Sequence, residues 1–322
     1  MKALILCAGL GTRLRPLTEH WPKCGVPLLG QPLFRYNLAL LKGAGVCEVG
    51  INVHYLPDEM ERIARKECER AEMKLTVSRE PSLLGTGGAL RAFRGWLGDE
   101  PFVVLNGDVL FALELRPLFE RHVNEGRVAT MVLMPMPPNE KFSSVDIDGR
   151  ERVRRIAGRG PATASESLTP LHFASVQLLS PGIFDFISPS GSEEIFTDIY
   201  ARFWNAGGEV HGERVEGAYW ADLGTPRRYL NAAFDLLEGR VPLELFPNAS
   251  PFEGEPTPIL IGNGSQISPR VRLEAPLFVG AGVVVPEGCE LSRSTVFEGT
   301  LLGSDERLRE TVAWKGGRLN LS

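Results

Sequence analysis

From Ile261 onward the chain keeps a period of six. Ile261, Ile267, Leu273, Val279, Val285, Leu291 and Phe297 are all apolar, each six residues after the last. An offset series runs through Ser265, Val271, Leu277, Val283, Cys289, Thr295 and Leu301. An α-helix cannot hold this period, because six residues turn it by about 600° and scatter the side chains around its surface. A coil of short strands can, since each six-residue side returns its inward positions to the same wall. The period predicts a short left-handed β-helix over residues 259–322, three hexapeptides to a turn.

The chain before the repeats follows another rule. Ala3–Cys7, Glu48–Val53, Leu75–Ser78, Phe102–Asn106 and Ala129–Met134 are short apolar runs that read as strands. Helical patterns lie between them, most plainly Asp58–Ala71, where Met60, Ile63, Ala64, Glu67 and Cys68 form a stripe. Alternation of this kind predicts an α/β fold with a mixed, mostly parallel, Rossmann-like sheet covered on both faces. Val145–Gly149, returning through Val153 and Ile156, reads as an inserted β-hairpin with an Asp-Gly turn. Thr225-Pro226 reads as the N-cap and first residue of a final helix. Pro242, Pro247, Pro251, Pro256 and Pro258 mark residues 239–258 as a linker between a catalytic domain over 1–238 and the repeats.

Composition removes several classes. With 322 residues and a formal net charge of −5, the chain lacks the basic excess of a nucleic-acid-coating protein. No run approaches the roughly 18 apolar residues of a membrane span. The apolar stretch at the N-terminus is too short for a signal peptide and runs straight into glycines and Arg13. The five cysteines are odd in number and form no C-x-x-C pair, which predicts reduced thiols and a cytoplasmic protein.

The first strand opens into Cys7-Ala8-Gly9-Leu10-Gly11-Thr12-Arg13-Leu14-Arg15-Pro16-Leu17-Thr18. Glycines let backbone N–H groups turn toward a phosphate, and the arginines add charge at the same place. The dinucleotide pattern G-x-G-x-x-G fails at Leu14, and no Gly-Lys-Ser/Thr follows for a Walker A loop. By itself the segment is equally an ordinary tight turn. Trp21-Pro22-Lys23 then offers a lysine that can return to the same phosphates.

Together, G-L-G-T-R-L-R-P-L-T and P-K resemble the sugar-1-phosphate nucleotidyltransferases, which make nucleotide sugars. Gly85-Thr86-Gly87-Gly88, Asn106-Gly107-Asp108 and Trp220-Ala221-Asp222-Leu223-Gly224-Thr225-Pro226 match further motifs of that family in the same order. The resemblance implies that Ala8, Gly9, Gly11 and Thr12 wrap the phosphates of a nucleoside triphosphate, with Arg13 and Lys23 as the catalytic cations. It implies base recognition by Gly85, Thr86 and Gly88, and Mg²⁺ ligation by Asp108 and Asp222. Two carboxylates and phosphate oxygens suit that hard, octahedral cation. Without the family, Asn106-Gly107 reads as a hairpin turn with Val109–Leu113 returning.

Sugar recognition is less regular. The family often carries a Glu-Lys-Pro strand, and here the aligned residues are Gly158-Arg159-Gly160-Pro161. Arg159 is the candidate replacement for the lysine, and Ala174 and Ser175 are candidates on the sugar-lining strand. The partners implied are an NTP and a sugar 1-phosphate, with no nucleic acid and no membrane. GTP with mannose 1-phosphate is the first choice. Glucose-1-phosphate uridylyl- or thymidylyltransfer and amino-sugar-1-phosphate uridylyltransfer are alternatives. A non-catalytic nucleotide-sugar-binding homologue is the alternative of another class. The repeats lack histidine, which argues against acyl transfer, and their open end predicts a homo-oligomer or docking on the catalytic domain.

Overall fold

A computed structural model describes residues 1–322 apart from Asn139, Ala164 and Pro247. Pro247 of the proline-rich segment therefore lies outside the described residues.

The strands of three or more residues before the repeats are β1 (Lys2–Leu6), β2 (Glu48–Val53), β3 (Lys74–Arg79), β4 (Phe102–Asn106), β5 (Val109–Ala112), β6 (Ala129–Met134), β7 (Val145–Ile147), β8 (Val153–Ile156), β9 (Thr169–Leu179), β10 (Val210–Arg214) and β11 (Tyr219–Asp222). Nine of them form one mixed sheet. Its heart is the parallel run β4-β1-β2-β3, in which Ile5 stands level with Leu105 on one side and Ile51 on the other. The long β9 joins antiparallel to β4 and carries β6 and the β7–β8 hairpin along its length. β10 closes the far edge parallel to β6. The sheet is mixed α/β and parallel-rich, as the alternation of runs required.

Helices α1 (Leu33–Gly43), α2 (Pro57–Arg70), α3 (Gly85–Leu97), α4 (Leu115–Asn124), α5 (Tyr200–Asn205) and α6 (Pro226–Leu237) flank these strands. α2 buries the five expected residues, Met60, Ile63, Ala64, Glu67 and Cys68. The buried Glu67 carboxylate is met from α1 by the Arg35 guanidinium at 2.6 and 3.0 Å, so the charge is paired rather than stranded. Thr225 caps α6, its side chain accepting from the Arg228 amide, and Pro226 fills the first turn. The Asn-Gly hairpin does not form. β5 leaves β4 and pairs antiparallel with β11 instead, Asp222 standing level with Val109.

The repeats fold as β12 (Ile259–Ile261), β13 (Gln266–Ile267), β14 (Arg272–Val279), β15 (Val284–Val285), β16 (Glu290–Val296), β17 (Arg307–Arg309), β18 (Thr311–Trp314) and β19 (Gly317–Asn320). The earlier strands stack in parallel with partners eighteen residues apart, as in Ile261 with Val279, Ile267 with Val285 and Leu273 with Leu291, whereas β18 and β19 at the end pair antiparallel as a hairpin and depart from the expected coil. Eighteen is three sides of six. Past Pro276 the stagger slips to seventeen, and Val279 meets Val296. Val296 thus takes the inward place that the period assigns to Phe297. Phe297 turns outward onto Trp21 and Tyr229, with ring centroids 5.4 and 6.3 Å apart. Leu301, last of the offset series, is 74% exposed.

That outward turn fastens the two parts of the chain together. Phe278, Phe297, Val312 and Trp314 share one buried apolar cluster with β1, α1 and α6. Arg227 of α6 pairs with Glu310, and the Arg293 guanidinium lies 5.0 Å from the Phe234 ring centroid. The proline-rich segment is packed as well: Val241, Phe246, Ala249 and Phe252 are buried, and Phe246 meets Tyr36 of α1 edge to face. Among the described residues no helix is long and apolar enough to cross a membrane. All five cysteines are free thiols.

Candidate active site

The carboxyl ends of parallel strands leave backbone groups and loops free for a ligand, and two cavities open along that edge. One, of about 300 Å³, is lined by Ala8, Gly9, Lys23, Gly85 and Thr86, with Asn52, Glu80 and Glu194. The other, of about 420 Å³, is lined by Arg13, Asp222, Ser175, His172, Phe142 and Trp220 among others. Asn106 and Asp108, at the end of β4, belong to both walls.

Asp108 is set by its neighbour. Gly107 packs so closely that a Cβ would stand 2.6 Å from Cys24 Sγ and 3.0 Å from the Leu6 carbonyl oxygen, so only glycine carries the chain through. The Leu223 amide donates to the Asp108 carbonyl at 3.1 Å, tying the end of β11 to the turn after β4. Asp222 is the last residue of β11 and is 9% exposed. Its carboxylate accepts from the Gly224 amide at 2.8 Å and pairs with Arg228. Asp108 pairs with Lys23. A Cβ on Gly224 would lie 2.6 Å from Asp222 Oδ1 and 2.8 Å from Arg13 Nη2, so Arg13 reaches the same spot. Two carboxylates, two arginines and a lysine therefore meet where the cavities join.

The first loop is shaped by Gly11, whose φ of 63° lies in the left-handed region. The Gly11 carbonyl accepts from Leu14 at 2.9 Å and from the Thr18 hydroxyl at 2.8 Å, and the buried Leu14 anchors the turn. Arg13 and Thr12 are thereby left exposed. Gly85 opens α3 with φ 72°, and a Cβ there would collide with the Glu193 carbonyl. The Thr86 amide and hydroxyl both donate to Glu194, at 3.2 and 2.8 Å.

Not every sequence candidate reaches a cavity. Gly88 is buried inside α3 against Leu84. Ala174 is fully buried in the core, while its neighbour Ser175, at φ 68°, lines the second cavity. Arg159 sits on an exposed turn closed by its own amide to the Ile156 carbonyl, and Ala157 rather than Arg159 faces the cavity. The neighbouring arginines are engaged in surface ion pairs, Arg152 with Asp148 and Glu209, and Arg154 with Glu166.

Several lining residues are new. Asn52, at the end of β2, accepts from the Cys7 amide at 2.8 Å and donates to Glu80 at 2.9 Å; the other Glu80 oxygen accepts from the Leu84 amide at 3.1 Å. Their position at strand ends was the available signal. His172 gave none, because it follows an ordinary β pattern, and Trp220 entered only as part of the motif that carries Asp222. Burial pushes the His172 pKa down to about 4, against the pull of Asp222 and Glu140 and with the push of Arg228, so its imidazole is neutral. Burial, and next the neighbouring Cys24 thiol, hold Cys7 well above the ordinary thiol range, which removes it as a nucleophile.

Residues 2–239 match the family model described as nucleotidyl transferase. The chain belongs to the nucleotidyl transferase family. Its similarity to mannose-1-phosphate guanylyltransferase 1 of Arabidopsis thaliana is 31% identity over 93% of this chain and 82% of the relative. UTP–glucose-1-phosphate uridylyltransferase of Synechocystis is 26% identical over 98% of this chain and 87% of its own. Among solved structures, HddC from Yersinia pseudotuberculosis complexed with GMP-PN superposes with a TM-score of 0.60 at 25% identity, covering 72% of this chain and 97% of that one. This nucleotidyl transferase is a sugar-1-phosphate nucleotidyltransferase, as the four motifs implied.

Proposed function

We propose that the chain transfers a nucleoside monophosphate from an NTP to a sugar 1-phosphate, with GTP and mannose 1-phosphate as the first pair. The observation that carries this reading is the meeting of Arg13, Lys23, Asp108 and Asp222 where two cavities join. A sugar-phosphate oxygen attacks the α-phosphorus, the bond to the β-phosphate oxygen breaks, and pyrophosphate leaves. The attacking oxygen is already anionic, so no protein nucleophile is needed. The obstacle is repulsion between two polyanions, and Arg13, Lys23 and the amides of the Gly9–Thr12 loop lower it.

Asp108, which lines both cavities, and Asp222, which lines the second, offer a hard, all-oxygen donor set that fits Mg²⁺ completed by phosphate oxygens and water. Among the described residues no group of three or more His, Cys, Asp or Glu competes as a metal site. When bound, the ion neutralises charge on the transferring phosphate. Lys23 and Arg228 pair with the two carboxylates.

Guanine is favoured over uracil or thymine by Glu80. Its carboxylate only accepts hydrogen bonds, and guanine presents adjacent N1–H and N2–H donors, whereas the pyrimidines present one donor between two carbonyls. The relatives named for guanylyl transfer agree with that preference. Uridylyl and thymidylyl transfer remain the alternatives. We assign the catalytic domain to 1–238, the packed connector to 239–258 and a left-handed β-helix to 259–322, in a cytoplasmic enzyme whose coil end pairs subunits. A matrix of GTP, UTP, dTTP, ATP and CTP against several sugar 1-phosphates, reading pyrophosphate, tests the reading. Release of pyrophosphate with GTP and mannose 1-phosphate at the highest kcat/KM supports it; no release from any pair overturns it.

A further inference from the structure

His172 stands in the wall of the second cavity and is 5% exposed, yet neither ring nitrogen has a hydrogen-bond partner among the described residues. The Trp220 indole N–H, buried beside it, has none either. The imidazole is held between two rings, Phe142 at 4.5 Å and Trp220 at 4.4 Å between centroids. Phe173 and Phe196 continue the aromatic wall. A buried polar group without a partner costs stability, and a phenyl ring would fill the same slot without that cost. Three such atoms side by side in a cavity wall are what a site looks like when its ligand completes the hydrogen bonds.

We infer that His172, with Trp220, is the specificity-determining pair for the sugar, reading one uncharged substituent that can both donate and accept, a hydroxyl or an acylamino group. The inference rests on the proposed sugar-phosphate site and deepens it. A neutral imidazole offers one donor and one acceptor, and the indole adds a donor. That set matches an uncharged donor–acceptor group and leaves a carboxylate facing the imidazole acceptor. The flanking rings stack on the apolar C–H face of a pyranose. Phe142 covers the imidazole, and Arg228 lies 4.8 Å from the Phe142 ring while pairing with Glu140 and Asp222. The nitrogens lie beneath the Phe142 ring, which would have to turn aside for the sugar to reach them, and Arg228 ties that ring to the acidic pair.

The test compares wild type, His172→Phe and His172→Gln for melting temperature and for separate KM values toward the NTP and the sugar 1-phosphate, in the best pair of the matrix. The inference expects His172→Phe to melt no lower than wild type, while KM for the sugar phosphate rises ~10–100-fold and KM for the NTP stays within about twofold. His172→Gln, which keeps one donor and one acceptor, recovers part of the sugar affinity. An unchanged sugar KM in His172→Phe overturns the inference and leaves the transferase intact. A lower melting temperature with both KM values raised together also overturns it, since His172 is then structural. No turnover by the wild type with any pair overturns the transferase reading and this one with it.

Discussion

Asp222 stands beside Asp108 because β11 pairs with β5: Asp222 is level with Val109, and the Leu223 amide donates to the Asp108 carbonyl at 3.1 Å. The two carboxylates are more than a hundred residues apart in the sequence, and strand pairing holds them at one point on the sheet edge. The surrounding cations then follow. Lys23 takes Asp108, Arg228 takes Asp222, and Arg13 comes to Gly224 beside them.

Arg13 makes no ion pair among the described residues and lines the second cavity, so its charge is available to phosphate. Arg13→Ala is expected to lower kcat by on the order of 10³-fold, about 4 kcal/mol of transition-state stabilisation. Melting should be unchanged, since Arg13 is exposed. Steady-state pyrophosphate release with far-UV circular dichroism checks both halves.

Glu80 is buried and placed by Asn52 and the Leu84 amide rather than by a charge partner. Glu80→Gln exchanges an acceptor for a donor at one oxygen. GTP is expected to lose ~10–100-fold in kcat/KM, the worth of a charge-assisted hydrogen bond, while UTP loses far less. Comparing the two nucleotides at fixed sugar phosphate measures the shift.

Phe297→Ala removes a buried ring from the seam between the coil and the α/β part, where it meets Trp21 and Tyr229. The expected cost is about 3–5 kcal/mol. Trp21 stands two residues before Lys23, so KM for the NTP should rise as well. Leu301→Ala, at the exposed end of the offset series, should change stability by less than about 0.5 kcal/mol. Urea unfolding of the two variants side by side decides it.

His122 predicts an acid dependence of stability. Its Nε2–H donates to Ser180, whose own hydroxyl is given to the Arg127 carbonyl, and its Nδ1 accepts from Thr130 at 2.8 Å. That arrangement needs the neutral ring, and burial, with Arg127 nearby, holds the pKa down at about 4. The unfolded chain takes up this proton near pH 6.5. The contribution is therefore complete above about pH 6.5 and is lost as pH falls toward 4, on the order of 3 kcal/mol. His172 adds a change of the same sign. Unfolding free energies at pH 7 and pH 4.5 should differ by less in His122→Gln than in the wild type; equal slopes contradict the assignment.

Much of this was legible in the sequence because periodicity reports burial. Ile5, Ile51 and Leu105 announced the sheet, and Met60, Ile63 and Cys68 announced α2. Gly11 announced a tight turn after β1, and its φ of 63° bears that out. What the period could not show was a single missing residue in the third coil. That slip swings Phe297 from the interior to the seam and leaves Leu301 bare. Nor could it show the partner of β5, since Asn106-Gly107 is a good local hairpin and only the tertiary fit to β11 overrides it. His172 escaped because nothing local separates a cavity wall from a core wall; the distinction is made by strands far apart in the chain.

The central claim is that Asp108 and Asp222 act as one unit on the transferring phosphate. The most direct measurement is kcat for pyrophosphate release, at saturating substrates and Mg²⁺, in Asp108→Asn, Asp222→Asn and the double variant. Each single change is expected to cost on the order of 10³-fold, and the double variant little more than either, as for groups that work together. Near-normal turnover in either single variant, or losses that multiply in the double, would contradict it.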